Sequence, residues 1–327
     1  LKSFTKLLTT LLAVFSLFAV SGCGGSDNDD PVTDPVGGSS GRVAHVNWNS
    51  YNLYAYQNNA WTPVITQGAV VGTFPAIGDR PSLLIHGLGS DIVSGRFNAL
   101  ANSLQQSGAT SVFGFEYDSL DSVAKNGNFL IEAIGALTEE NPGQTWRLMG
   151  HSMGALVARV ALESGIPFDV AATGNRAALV AGPHLGSEIA VELQDNPDLI
   201  GQALGDLVVN GQLEFRNADG QLVSVSGQEQ GFTDLRPDSA FLATQNFEAA
   251  NKHPQFEYRT VAGDDRGTNY ETLNRVLGVF ADDGVVDISS ASAAVIGPLD
   301  SAIVDADHST IVEALDPIVV ILTYLGF

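Results

Sequence analysis

The sequence predicts an α/β fold with a mainly parallel central sheet and helices on both faces. Three observations carry that prediction. Short apolar runs alternate along the chain with stretches whose apolar residues recur at helical spacing. The runs are closed by glycine-rich or polar turns, as strands buried inside a layered fold must be. The chain of 327 residues is 44% apolar, enough for one large core, and shows no repeat that would indicate a solenoid.

At the start of the chain, Lys2 and Lys6 precede an apolar stretch from Leu7 to Val20 that ends in Val20-Ser21-Gly22-Cys23. A basic segment, a short apolar core and small residues at a cleavage point describe a secretory signal peptide over residues 1–22. Cys23 is the sole cysteine, so no intramolecular disulfide is possible. Residues 24–41 hold no aromatic residue and only two valines as apolar members. Such a segment cannot offset its ordering entropy by burial, so 23–41 is expected to be a tether and the folded domain to span 42–327.

The domain is expected to open with strands in Arg42 to Phe74, rich in Tyr, Trp, Val and Thr, at the edge of the sheet. Pro81 to His86 reads as a buried strand. Residues 93–107 place Val93, Phe97, Leu100, Ala101 and Leu104 at helical spacing, closed by Gly108. Ser111 to Phe115 follows as a strand, Asn128 to Leu137 as a helix, Thr145 to Met149 as a strand and Ala155 to Ser164 as a helix. Ala177 to Ala181 and Phe256 to Ala262 are further buried strands, and Ile311 to Phe327 a packed terminal helix. Strands joined through helices imply right-handed crossovers and parallel pairing. Between Glu188 and Phe232 lies a long insertion with apolar positions at roughly helical spacing, expected to form a helical cap over a substrate pocket.

The formal charge is −22, from 15 basic and 37 acidic residues. That balance argues against nucleic-acid binding, which needs a basic footprint, and fits a heavily hydrated surface.

Gly150-His151-Ser152-Met153-Gly154 has the G-x-S-x-G pattern of a nucleophile elbow, the signature of α/β-hydrolases. In that turn the serine is held in a strained conformation between strand and helix, so the residues two before and two after it must be small. An apolar strand precedes this serine and a helix follows it, as the motif requires. Upstream, Leu84-Ile85-His86-Gly87-Leu88-Gly89 ends a strand in a turn of the type that supplies an oxyanion amide. This nominates the backbone N–H groups of Leu88 and Met153 as the oxyanion hole, with His86 bonded to the local backbone. A serine hydroxyl needs a base, and the base an orienting carboxylate. The chain order serine, acid, histidine leaves His184, His253 and His308 as bases. His308 is selected because it lies in a polar turn just before the terminal helix. For the acid, Asp283 in Ala281-Asp282-Asp283-Gly284 and Asp264 in Gly263-Asp264-Asp265 both stand in suitable turns, and position alone leaves both open.

These motifs, with Gly182-Pro183-His184-Leu185-Gly186-Ser187, Leu235-Arg236-Pro237-Asp238-Ser239 and Asp283-Gly284-Val285-Val286, resemble bacterial triacylglycerol lipases and the related branch that includes GPI inositol-deacylases. The resemblance implies that Asp283, in an Asp-Gly-Val-Val turn, is the acid and that His184 is structural. It implies a carboxylic ester hydrolase acting on acyl esters such as acylglycerols, with an acyltransferase, phospholipase or thioesterase as alternatives on the same triad. A lipid-anchored binding protein without turnover is the alternative from another class. No cofactor is expected, and no metal: the aspartate with which such lipases often bind calcium is here Thr310. The end of the signal segment resembles a bacterial lipobox, which implies lipidation of Cys23 and anchoring to a bacterial membrane, the outer one favoured by Gly24.

Overall fold

In a strand buried on both sides, successive side chains must enter two different cores. The computed structural model of the chain describes residues 42–196, 213–217, 221, 223–247, 252–279, 281–292 and 300–327, and its central strands show this alternation. The expected leader 1–22, Cys23 and the tether 23–41 lie outside the described residues.

The chain runs β1 (Arg42–His45), β2 (Tyr51–Gln57), β3 (Ala60–Thr66), β4 (Ala69–Val70), β5 (Ser82–Ile85), α1 (Asn98–Gln106) and β6 (Val112–Tyr117). It continues through α2 (Val123–Glu140), β7 (Arg147–His151), α3 (Met153–Glu163), β8 (Asn175–Val180), α4 (Glu188–Asp195), β9 (Leu213–Arg216) and α5 (Gln230–Asp234). The last elements are α6 (Ala240–Phe247), β10 (Phe256–Gly263), α7 (Gly267–Leu277), α8 (Ile288–Ala291), β11 (Asp300–Val304) and α9 (Leu315–Leu325). The main sheet has the order β11-β10-β8-β7-β5-β6-β2-β3-β4. From β11 to β6 every pairing is parallel, while β2, β3 and β4 join antiparallel at one edge.

The period of two is visible residue by residue. Leu83 and Ile85, Phe113 and Phe115, Leu148, Ala177 and Leu179 pack with α2 and α3 on one face. Leu84, Val112, Met149, Ala178 and Val180 pack with α1 and α9 on the other. Helices therefore cover both faces, and the strands read as near-continuous apolar runs because neither face meets water.

Four differences from the expected pattern stand out. Residues 91–97 are turns rather than the first turn of α1, because Asp91 Oδ1 accepts the Ser94 N–H at 2.5 Å and draws the backbone out of the helix. Helix α2 begins earlier than its apolar periodicity, because Ser122 caps it by accepting the Lys125 N–H at 3.1 Å. The edge strand β11 was not expected: Asp300-Ser301-Ala302-Ile303-Val304 is short and half polar, and Ile303 is exposed. Finally, β1 does not join the sheet edge with β2. It pairs in parallel with β9 of the insertion, Ala44 opposite Phe215, so the insertion contains a strand as well as the helices α4 and α5.

Helix α3 carries an ion pair inside the protein. Arg159 Nε lies 2.9 Å from Glu163 Oε1, with the two side chains 0% and 2% exposed. Asn246 of α6 accepts from the same guanidinium, and Gln245 donates to Glu163. Burial pushes the Glu163 carboxyl up even beside this partner. Removing one member strands the other charge. Arg159→Met is expected to lower the unfolding free energy by about 3–5 kcal/mol in urea titrations. The double variant Arg159→Met/Glu163→Leu should recover most of that loss.

Candidate active site

The nucleophile elbow is built from steric necessity. Ser152 follows β7 directly and sits at φ 56°, ψ −128°, a conformation that costs a non-glycine residue of order 1–3 kcal/mol. A Cβ on Gly150 would come within 2.5 Å of the Gly154 carbonyl oxygen, and one on Gly154 within 2.3 Å of the His86 carbonyl oxygen. The two glycines let β7 turn sharply into α3 while α3 presses against the end of β5. Ser152 is thereby carried to the N-terminus of an eleven-residue helix, where the backbone N–H groups and the dipole face the serine.

Three side chains from distant parts of the chain meet there. His308 Nε2 lies 2.8 Å from Ser152 Oγ, and His308 Nδ1 lies 2.8 Å from Asp283 Oδ2. The other carboxylate oxygen of Asp283 accepts the N–H groups of Val285 at 2.9 Å and Val286 at 2.7 Å. Asp283 is fully buried, and these bonds satisfy both of its oxygens, as a buried carboxylate requires. The main chains are joined as well, since the His308 N–H donates to the Asp283 carbonyl at 2.9 Å.

The competing carboxylate lies elsewhere. Asp264 is exposed and lines a separate acidic cavity with Asp265, Glu271 and Asp282. At the end of β10 it is Gly263 that faces the triad, where a Cβ would meet the Ala306 carbonyl at 2.3 Å and Asp283 Cβ at 3.0 Å. The absent side chain leaves room for the Asp283 turn. The other two histidines serve the core. His184 is fully buried beside Arg159, and His253 stacks on Phe168 at 5.7 Å; burial holds both rings below the usual histidine pKa.

The His86-Gly87 turn is fixed by its own imidazole. Tyr117 donates its N–H to His86 Nε2 at 3.2 Å, which leaves the ring proton on Nδ1 to donate to the Gly87 carbonyl at 2.8 Å. The Ser90 N–H donates to the same carbonyl. In a trans peptide the carbonyl and the following N–H point in opposite directions, so the Leu88 amide is turned away from these donors. Leu88 and Ser152 line one cavity, and Met153 is the first residue of α3. Ser119 adds a further brace by accepting the Gly89 N–H at 2.9 Å.

The cavity above Ser152 has a volume of about 130 Å³. Its walls are largely apolar: Leu88, Val285 and Val286 come from the core loops, and Ile189, Leu193, Phe215 and Phe232 from the insertion. Its polar pole holds Arg96 and Tyr270 beside the triad. Arg96 donates to Ser309 Oγ at 3.1 Å and pairs with Glu313, while the Tyr270 hydroxyl meets the same Ser309 Oγ at 2.5 Å. Thr310, two residues after His308, donates its N–H to Asp307 Oδ1 at 2.8 Å. Among the described residues, no cluster of three or more His, Cys, Asp or Glu side chains is arranged to hold a metal ion.

Some members of the site had no sequence signal. Asn274 of α7 donates to the Gly284 carbonyl at 2.7 Å and accepts the Ala281 N–H at 3.0 Å, which clamps the Asp283 turn. Arg96, Tyr270 and Ser309 likewise meet only through folding.

The described sheet, the elbow after β7 and the histidine loop after β11 together define an α/β-hydrolase fold. No protein-family model and no curated protein matches the chain. Among solved structures it is similar to a lipase of Bacillus licheniformis in its mature form, at 15% identity and a TM-score of 0.55. That likeness covers 84% of this chain and 98% of the lipase. The propeptide form of that lipase matches with a TM-score of 0.54 at 15% identity, over 78% of this chain and 52% of the other.

The two candidate acids are separable by experiment. Asp283→Ala is expected to lower kcat for a chromogenic ester by about 10⁴-fold. Asp264→Ala should stay within about twofold of wild type, since an exposed carboxylate off the relay adds little.

Proposed function

We propose that the protein is a serine-dependent carboxylic ester hydrolase of the lipase and esterase type. The observation that carries this reading is the relay of two 2.8 Å hydrogen bonds from Ser152 through His308 to Asp283, at the floor of an apolar cavity. His308 Nε2 takes the proton of Ser152 as Oγ attacks the ester carbonyl. The Leu88 and Met153 amides hold the oxyanion of the tetrahedral intermediate. His308 then returns the proton to the departing alcohol, leaving an acyl-enzyme. Water, deprotonated by the same imidazole, releases the carboxylic acid and restores the serine.

The described residues of the insertion act in this reading as part of a cap over the acyl group, because Ile189, Leu193, Phe215 and Phe232 line the same cavity as Ser152. The described cavity, about 130 Å³, approaches the ~150 Å³ of a cavity known to hold benzene. Acyl chains of about four to six carbons therefore fit it best. The lipobox-like end of the leader supports attachment of a lipid at Cys23 and so a membrane location for the enzyme.

A fluorophosphonate probe is expected to label the wild type and not Ser152→Ala, whose melting temperature should match wild type because alanine meets the same backbone strain as serine. An unlabelled wild type would leave the binding-protein alternative standing. Across p-nitrophenyl esters, kcat/KM should peak at short acyl chains. Phe232→Ala should move the peak to longer ones; an unmoved peak would remove Phe232 from the acyl pocket.

A further inference from the structure

We propose that His151 is a positioning residue: its Nε2–H holds the main-chain carbonyl of His308 and so sets the distance between the His308 imidazole and Ser152. The proposal rests on the reading of Ser152 as the nucleophile and adds a residue that the triad alone does not include.

The chemistry of the contact decides its direction. His151 Nε2 lies 2.8 Å from the His308 carbonyl oxygen. A carbonyl only accepts, so the ring proton is on Nε2. The ring is 1% exposed, and burial drives its pKa far below the usual histidine value, so it stays neutral. Its other nitrogen, Nδ1, is then a bare lone pair, and it is buried with no hydrogen-bond partner among the described residues. A leucine would fill this volume without burying an unsatisfied acceptor. The one compensating feature of histidine at this position is the bond it makes.

That bond completes the constraint on His308. The His308 N–H is held by the Asp283 carbonyl, and its Nδ1 faces Asp283 Oδ2. Both of those restraints come from the acid turn. The His308 carbonyl is tied instead to the elbow, through the residue that immediately precedes Ser152. The two rings lie 5.0 Å apart, and Phe97 meets the His151 ring edge-on at 6.4 Å. The base is thus referenced to the acid on one side and to the nucleophile's own turn on the other. A 2.8 Å contact between Oγ and Nε2 needs both references, because the triad members come from separate loops.

The test compares wild type, His151→Leu and His151→Gln in the full chain. Glutamine places a donor at nearly the reach of Nε2, and leucine removes it. Three readouts are taken: kcat and KM for p-nitrophenyl butyrate, the melting temperature, and the far-downfield NMR resonance of the His308 Nδ1 proton facing Asp283. His151→Leu is expected to lower kcat by about 10- to 100-fold, as a displaced base does, while KM stays within about twofold. Its Nδ1 proton resonance should shift or broaden. His151→Gln should restore most of kcat and return the resonance toward its wild-type position. If His151→Leu does not fold, His151→Met, which fills the ring's volume without a donor, takes its place with the same expected loss. Wild-type kcat together with an unchanged resonance in the donor-less variant would overturn the proposal. So would equal losses in the leucine and glutamine variants that track a fall in melting temperature. Were the wild type to hydrolyse no ester, the hydrolase reading would fall, while the resonance comparison would still decide whether His151 holds His308.

Discussion

The site depends on one strained turn. Ser152 is held at positive φ because β7 lies between β5 and β8 in the sheet and must pass into α3 within a single residue. That strain is over-determined by close packing: Gly150 touches the backbone of α3, Gly154 touches the end of β5, and Gly87 leaves only 2.7 Å between a notional Cβ and Ser152 Cβ. These contacts join α3 to β7 and to the end of β5, and the turn after β5 to Ser152, so strand and helix together hold the serine in place. A turn of this kind gains nothing from local propensity and persists only while the surrounding layers are intact.

Around that turn, neutral imidazoles serve as fixed struts. His86 carries its proton on Nδ1 and holds a carbonyl of the turn after β5. His151 carries its proton on Nε2 and faces the carbonyl of the histidine loop. The tautomers are opposite because the partners differ: a backbone N–H takes the lone pair of His86, whereas His151 Nδ1 is offered no donor among the described residues. Imidazole suits such work because one ring side can donate while the other accepts or stays bare, without a charge to bury. Among the described residues, of the three histidines that follow Ser152 only His308 is bonded to both a hydroxyl and a carboxylate.

The insertion is tied back to the start of the domain. Strand β1 runs parallel to β9, and Phe215 of β9 reaches the cavity wall. Ala44 and Val46 pack in the same apolar cluster as Ile189, Leu193, Phe215 and Phe232. Strand β1 therefore backs the cavity wall, although nothing in Arg42-Val43-Ala44-His45 distinguishes it from an ordinary edge strand. Parallel pairing of two segments so far apart in sequence is a tertiary choice, reached because each offers an apolar residue to one shared cluster.

Much of this was legible in the residue order. Local rules suffice for a buried strand, an amphipathic helix or a glycine-flanked serine, since each depends on neighbours within a few positions. They also suffice to nominate Ser152 and His308, where spacing and chain order leave few candidates. Which of Asp283 and Asp264 faces His308 lay beyond them, because both stand in turns of similar composition. Burial decided it, through Gly263 making room and Val285 and Val286 supplying amides. Asn274, Arg96, Tyr270 and the bond from His151 had no pattern to betray them, because their partners lie in other loops. The sequence alone determined which layers form and where Ser152 must turn. The tertiary structure decided which carboxylate, carbonyl and amide meet it, because hydrogen bonds between distant segments exist only once those layers have packed.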